Sequence, residues 1–149
     1  MFFFVPLSVL CGKRINKMPF EEVPHTADWS IRVWADDVAG LLIESARGMN
    51  WLAGAELADE PRITRTFETE EPDDESLLVA FLSELVYYAE QENLGFNDFD
   101  IQIKNGRLKA EIRGAPLESL SKAIKAVTWH NLKINKTARG LEVEIVFDV

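Results

Sequence analysis

Two short stretches of this chain place carboxylates where they could hold a cation. In the first, V-P-H-T-A-D-W-S-I-R-V at residues 23–33, His25 and Asp28 precede an apolar alternation of Trp29, Ile31 and Val33. If the strand begins near it, Asp28 shares the opposite face with Ser30 and Arg32. The second is the last run, L-E-V-E-I-V-F-D-V at residues 141–149. Its period of two sets Leu141, Val143, Ile145, Phe147 and Val149 on one face and Glu142, Glu144, Val146 and Asp148 on the other. Asp148 and the Val149 terminal carboxylate supply several hard oxygens within one residue. With Asp28 added, the set suits Ca²⁺, Mg²⁺ or Mn²⁺ rather than a zinc selected through thiolates. Each carboxylate also has an ordinary explanation. Asp28 can be a turn residue bonding nearby amides after Pro24, and Asp148 a solvated group on an acidic face.

A third stretch, K-A-V-T-W-H-N at residues 125–131, adds Lys125 and His130. His130 could be a metal ligand or proton carrier, or a satisfied structural residue. Period two puts Lys125, Val127 and Trp129 opposite Ala126, Thr128 and His130. Lys125 and His130 can therefore address one site only through a bulge, or if Lys125 lies just before the strand. Only two histidines occur, and no Ser/His/Asp or Cys/His nucleophile set is evident. There is no GxGxxG, P-loop or GxSxG, so nucleotide binding by a known loop is unsupported.

The elements that must position these residues are legible from periodicity. A short strand at Phe20–Val23 leads through a turn at Pro24-His25-Thr26 into a second strand ending near Ala35. Asp36-Asp37 starts a helix over 37–53, with Val38, Leu41, Leu42, Met49 and Leu52 keeping the helical period and Gly54 ending it. Residues 63–69 alternate as a strand near a sheet edge. An acidic loop then lets Asp73 or Asp74 cap a helix over 75–92, closed by Asn93 and Gly95. A hairpin pairs residues 98–104 with Leu108, Ala110 and Ile112 around Asn105-Gly106. Pro116 to Lys122 reads as a short helix or turn. K-A-V-T-W-H-N-L-K-I and the terminal run then read as a final pair of strands joined by a loop at 135–140. The order predicts an α+β fold, a single domain of mainly antiparallel strands with two long helices.

With 149 residues, one hydrophobic core is expected. The formal net charge is −9, from 25 acidic and 16 basic residues. Lys13, Arg14 and Lys17 are the only charges before Met18, so the rest carries 13 basic and 25 acidic residues. Such a surface repels phosphate backbones, which argues against direct, sequence-independent binding of nucleic acid. Residues 1–17 form a separate compositional block, read as an extension outside the domain, with Met18 as the effective start. The apolar run precedes its basic residues, the reverse of a secretory signal, and is too short to span a bilayer. Cys11, the only cysteine, lies in that block, so the domain has no disulfide framework, which suits a cytoplasmic protein.

Four segments together resemble the archease family: F-E-E-V-P-H-T-A-D-W-S-I-R-V-W-A at 20–35, S-L-L-V-A-F-L-S-E-L-V-Y-Y-A-E at 76–90, I-K-A-V-T-W-H-N-L-K-I at 124–134, and the terminal V-E-I-V-F-D-V. The match runs from Met18 to Val149 in the right order. The resemblance implies a cytoplasmic, non-ligase protein cofactor of the tRNA-splicing RNA ligase RtcB, promoting its guanylylation and multiple turnover. RNA would be met only through the ligase, and no membrane is involved. The resemblance also implies a divalent metal site, calcium first with magnesium or manganese as alternatives, made by Asp28 and Asp148 with Val149 adding an oxygen. Lys125 matches a family lysine implicated in activation, and His25 and His130 take supporting roles. Two readings compete: a metal-dependent phosphoester hydrolase, and a general chaperone-like interaction module.

Overall fold

The computed structural model describes residues 18–23 and 29–149. The elements follow in the order β1 (Phe20–Val23), β2 (Trp29–Ala35), α1 (Val38–Ala53), β3 (Glu56–Leu57), β4 (Ile63–Glu70), α2 (Asp74–Glu92), β5 (Leu94–Lys104), β6 (Arg107–Ser119), β7 (Ala126–Val127), β8 (Asn135–Thr137) and β9 (Gly140–Asp148). Among the described residues all strand pairs are antiparallel and two helices accompany them, which bears out the α+β expectation.

The strands form two sheets. In the first, β9 is central: β2 lies along one edge and β1 beyond it, while β7 and β8 pair with opposite ends of the other edge. In the second, β6 is central and pairs with β3, β4 and β5. Helix α1 packs on β1, β2 and β9 of the first sheet and on β5 of the second, and α2 touches β4, β5 and β7. The core therefore lies between the helices and both sheets. Ile31, Val33, Leu42, Leu82, Ile145 and Phe147 are fully buried within it.

Local chemistry sets the boundaries. Asp37 is extended and its carboxylate accepts from the Gly40 amide at 2.7 Å, so it caps α1. Gly54 ends the helix in the left-handed region, with φ 63°. Asp73 caps α2 in the same way, accepting from the Ser76 amide at 2.8 Å. Asn93, at φ 56°, ends α2, whereas Gly95 belongs to β5. The Asn105-Gly106 turn has both residues at positive φ, as a type I′ hairpin requires. Replacing Asp37 with Ala should cost about 1 kcal/mol of stability. In a chain of this size that lowers the thermal midpoint by about 2–4 °C, which calorimetry would register.

Three expectations fail, each for a physical reason. Residues 116–119 are neither helix nor turn: β6 continues to Ser119 because β3, which the sequence did not reveal, pairs with its end through Leu57 and Glu56. The segment 125–134 is not one strand. Only Ala126–Val127 pairs with β9, and the chain then turns at Asn131, φ 54°, with the Leu132 amide donating to the Trp129 carbonyl at 3.2 Å. Its apolar residues Leu132 and Ile134, like Ile124 just before it, pack against the core from irregular backbone, so hydrophobicity alone mimicked a strand. Finally, the expected loop at 135–140 contains β8, and the hairpin into β9 closes through Ala138-Arg139.

Candidate functional site

Strand β9 carries the C-terminal carboxylates into the middle of the first sheet. Phe147 is buried between Trp29 of β2 and Val127 of β7. Asp148, the next residue, is exposed and Val149 half-buried. The Asp148 carbonyl accepts the Lys125 amide at 2.8 Å, and the Thr128 amide donates to the Val146 carbonyl at 3.0 Å. The structure thus brings Lys125 beside Asp148 and Val149, with Lys125 just before β7, one of the two arrangements the strand periodicity left open.

His130 is not drawn in. After β7 the chain runs antiparallel to β9, away from Asp148, and His130 sits exposed in the turn. Its amide donates to the Thr128 hydroxyl at 3.3 Å, and its ring Nε2 lies 3.2 Å from the Asn131 side-chain nitrogen. His25 and Asp28 lie outside the described residues. Trp29, the chain neighbour of Asp28, pairs with Phe147, the neighbour of Asp148. Among the described residues no three His, Cys, Asp or Glu side chains cluster tightly enough to hold a metal ion. A cation at Asp148 therefore needs a further donor.

Electrostatics around β9 are organised by arginine. Arg32 on β2 reaches Glu21 at 2.9 Å, Glu144 at 3.3 Å and Glu142 at 3.6 Å. Arg139 binds Glu142 at 3.1 Å and lies over the Trp34 ring at 3.5 Å. The Arg139 hydrogen bonds, with help from Thr137 and the Arg32 charge, hold the Glu142 carboxyl below the usual carboxylate range against the opposing effect of burial. Arg113 does the same for Asp98. A carboxyl whose folded pKa is lowered binds fewer protons than in the unfolded chain. Its contribution is therefore complete above the unfolded pKa and disappears as pH falls through the folded one. The unfolding midpoint should drop below about pH 4.5, and Glu142→Gln should make that drop shallower. Identical acid profiles for the two proteins would contradict this role for Glu142.

Two features escaped the reading of single motifs. Between Glu118 and Glu142 there is no carboxylate, while Lys122, Lys125, Lys133, Lys136 and Arg139 all fall there. Lys122 places its ammonium 4.8 Å from the centre of the Trp29 ring. The second feature is an apolar cavity of about 210 Å³ between the C-terminal halves of α1 and α2, lined by Met49, Ala53, Leu85, Ala89, Phe96 and Ile124. Lys125 and Glu90 also line it. The carboxylate gap is visible in the sequence once charges are plotted by position; the cavity is not, because five elements build it.

The model of the Archease protein family matches residues 20–149. A protein archease from Methanopyrus kandleri is 32% identical over 140 residues, covering 89% of this chain and all of that one. One from Thermococcus gammatolerans is 33% identical over 129 residues, covering 81% of this chain and 91% of its own. Among solved structures, an archease from Thermotoga maritima superposes with a TM-score of 0.64 at 22% identity, over 87% of this chain and 96% of the other. The solution structure of a Methanobacterium thermoautotrophicum protein superposes at 0.66 with 20% identity, over 89% of this chain and all of that one. These two likenesses concern the fold.

Proposed function

This chain belongs to the archease family, and from that membership and the arrangement around β9 we propose that it is a cytoplasmic activator of the RNA ligase RtcB. It is not itself the ligase. It promotes guanylylation and multiple turnover of the partner, and meets RNA only through that partner. The observation that supports this reading is the main-chain pairing that sets Lys125 next to Asp148 at the end of the central strand.

Asp28 and Asp148, with Val149 beside the latter, would hold a divalent cation through oxygen donors alone, a set that fits calcium and also admits magnesium or manganese. Two things support Asp28 as the missing donor. Trp29 sits opposite Phe147, and each Asp is the chain neighbour of a member of that pair. The donors present are hard oxygens with no thiolate among them. A bound cation would supply a fixed positive charge beside Lys125. Lys125, whose main chain pairs with Asp148, would add a second cation near the carboxylates, while His25 and His130 act in support. An acidic protein surface would favour docking at a basic, RNA-binding cleft before RNA enters, and would steer the encounter more than it tightens the complex.

The testing experiment is a guanylylation assay of RtcB with manganese and GTP, run with and without this protein. Faster guanylylation and repeated turnover only with both proteins present is the expected result. Unchanged ligase kinetics at saturating archease would remove the proposal.

A further inference from the structure

The cavity between α1 and α2 lies beside the carboxylate site but is chemically unlike it. Its body is apolar. A closed apolar cavity of about 150 Å³ is enough to bind benzene, so about 210 Å³ takes one phenyl or branched aliphatic side chain. The polar side chains that border it are few and stand on different elements: Asn50 on α1, Glu90 on α2 and Lys125 on the segment that enters β7. Glu90 and Lys125 are both exposed, which puts them at its mouth. Among the described residues neither forms an ion pair, with the other or elsewhere. Asn50 donates from its side-chain nitrogen to the Phe96 carbonyl at 2.7 Å, and its Oδ1 accepts no hydrogen bond from the described residues. Both helices also end here, α1 at Ala53 and α2 at Glu92, and neither has a basic residue in its last turn. The negative ends of two helix dipoles, Glu90 and the Asn50 oxygen together favour a cationic group on the helix side, and Lys125 favours an anionic one on its own side.

We infer that this cavity binds a free apolar α-amino acid of the leucine or phenylalanine class, with its side chain between α1 and α2, its ammonium toward Glu90 and Asn50, and its carboxylate toward Lys125. The balance of charge at the mouth identifies the occupant. One acid and one base stand there, so a ligand carrying a single charge leaves one of them unmatched, whereas a zwitterion matches both. The acidity of the whole chain acts little on a ligand of zero net charge. A residue inside a peptide brings neutral amides to both positions and matches neither. The wall formed by residues 120–125 is already fixed at both ends: the Ser121 and Lys122 amides donate to the Ala53 carbonyl at 2.9 and 3.1 Å, and the Lys125 amide to the Asp148 carbonyl at 2.8 Å. A site held in this way loses little freedom on binding. The inference goes beyond the activation of the ligase and does not depend on a metal.

The test titrates ¹⁵N-labelled full chain with L-leucine, without ligase or divalent metal. Its failure is therefore distinct from failure of the ligase reading. Leucine should shift the amides of Ala53, Ala89, Gly95 and Ile124 saturably, and glycine, which has no side chain to bury, should bind at least about tenfold more weakly. N-acetyl-leucine lacks the ammonium and leucinamide the carboxylate, and each should lose about threefold or more. Glu90→Gln should weaken leucine by a similar factor and leave N-acetyl-leucine unchanged. Lys125→Met should likewise weaken leucine and spare leucinamide, a pattern that a merely structural role for either residue would not produce. Ala89→Leu and, on the opposite wall, Ala123→Leu should each lose leucine binding at least about tenfold while keeping the wild-type unfolding midpoint. The pair guards against one variant misfolding. No leucine shifts at those amides, glycine binding as well as leucine, or full affinity in the folded Leu variants would overturn the inference. So would leucinamide binding as tightly as leucine, which would give the site to the N-terminal residue of a peptide instead.

Discussion

Asp148→Ala should reduce the stimulation of RtcB guanylylation by about 10–100-fold, the scale on which disturbing a metal site acts, and Asp28→Ala should match it. Asp148 is suited to the experiment because its two roles separate cleanly. Its carbonyl holds the Lys125 amide, and its exposed carboxylate is free of any such structural bond among the described residues. Truncation therefore removes the carboxylate and leaves β7 in place, so the unfolding midpoint should stay within about 2 °C of wild type. Calcium titration supplies a readout independent of the ligase. Wild type should bind one ion, and each single variant should lose most of that affinity. Asp148→Asn should fall between, since an amide oxygen still coordinates but carries no charge. Wild-type stimulation by both folded Ala variants would falsify the assignment. If calcium binding is lost while stimulation persists, the carboxylates hold a metal that the ligase does not need.

Half of this candidate site was legible in the sequence, and the missing half shows where periodicity stops. Asp148 could be placed because an alternating run of nine residues fixes which side chains share a face, and Val143, Ile145 and Phe147 are indeed buried, as is Val146 on the Asp148 face. Lys125 could not be assigned an orientation, because that depended on where a two-residue strand began. Ala126–Val127 is too short to display alternation, and what defines it is pairing to β9, a contact some twenty residues away in sequence. His130 looked like a strand residue for the same reason. The turn in which it sits is set by Asn131 in the left-handed region, which Asn tolerates but does not announce.

The fold divides along the same line. Helix ends were readable because their chemistry is local: Asp37 and Asp73 find an amide three residues on, and Gly54 accepts a left-handed backbone. The Asn105-Gly106 hairpin was equally local. What escaped was non-local. β3 is two residues long and is a strand only because β6 runs far enough to meet it. Pro116 suggested an interruption, yet β6 passes through it: Leu94 of β5 sits opposite, and the neighbouring Leu117 amide donates to the Asn93 carbonyl at 2.8 Å. Proline lacks a donor but disrupts a strand only where that donor is required.

Gly114→Ala should destabilise the protein by at least about 3 kcal/mol, at the upper end of overpacking costs, and lower its thermal midpoint by about 6–12 °C. Gly114 sits on the central strand β6, opposite Ile63 of β4 on one side and Phe96 of β5 on the other. The register of β5 shifts between Phe96 and Asp98, and there the two backbones close up. A Cβ on Gly114 would overlap the Gly95 carbonyl oxygen and come within 2.7 Å of the Phe96 Cα. Both obstacles are main chain, held by ladders on either side, so neither can swing away as a side chain would. The comparison that isolates this cause is Gly48→Ala in α1. Its Cβ also meets neighbours closely, Ile31 Cδ1 at 2.8 Å and Phe20 Cγ at 3.1 Å, but both belong to side chains rather than to the main chain. The substitution there also gains about 1 kcal/mol of helix propensity. Gly48→Ala should therefore cost markedly less than Gly114→Ala, although both residues are enclosed. Chemical denaturation of the two variants decides it: equal midpoints would mean that β5 and β6 can part at Gly114 without cost, and that the register shift is not locked by backbone contact.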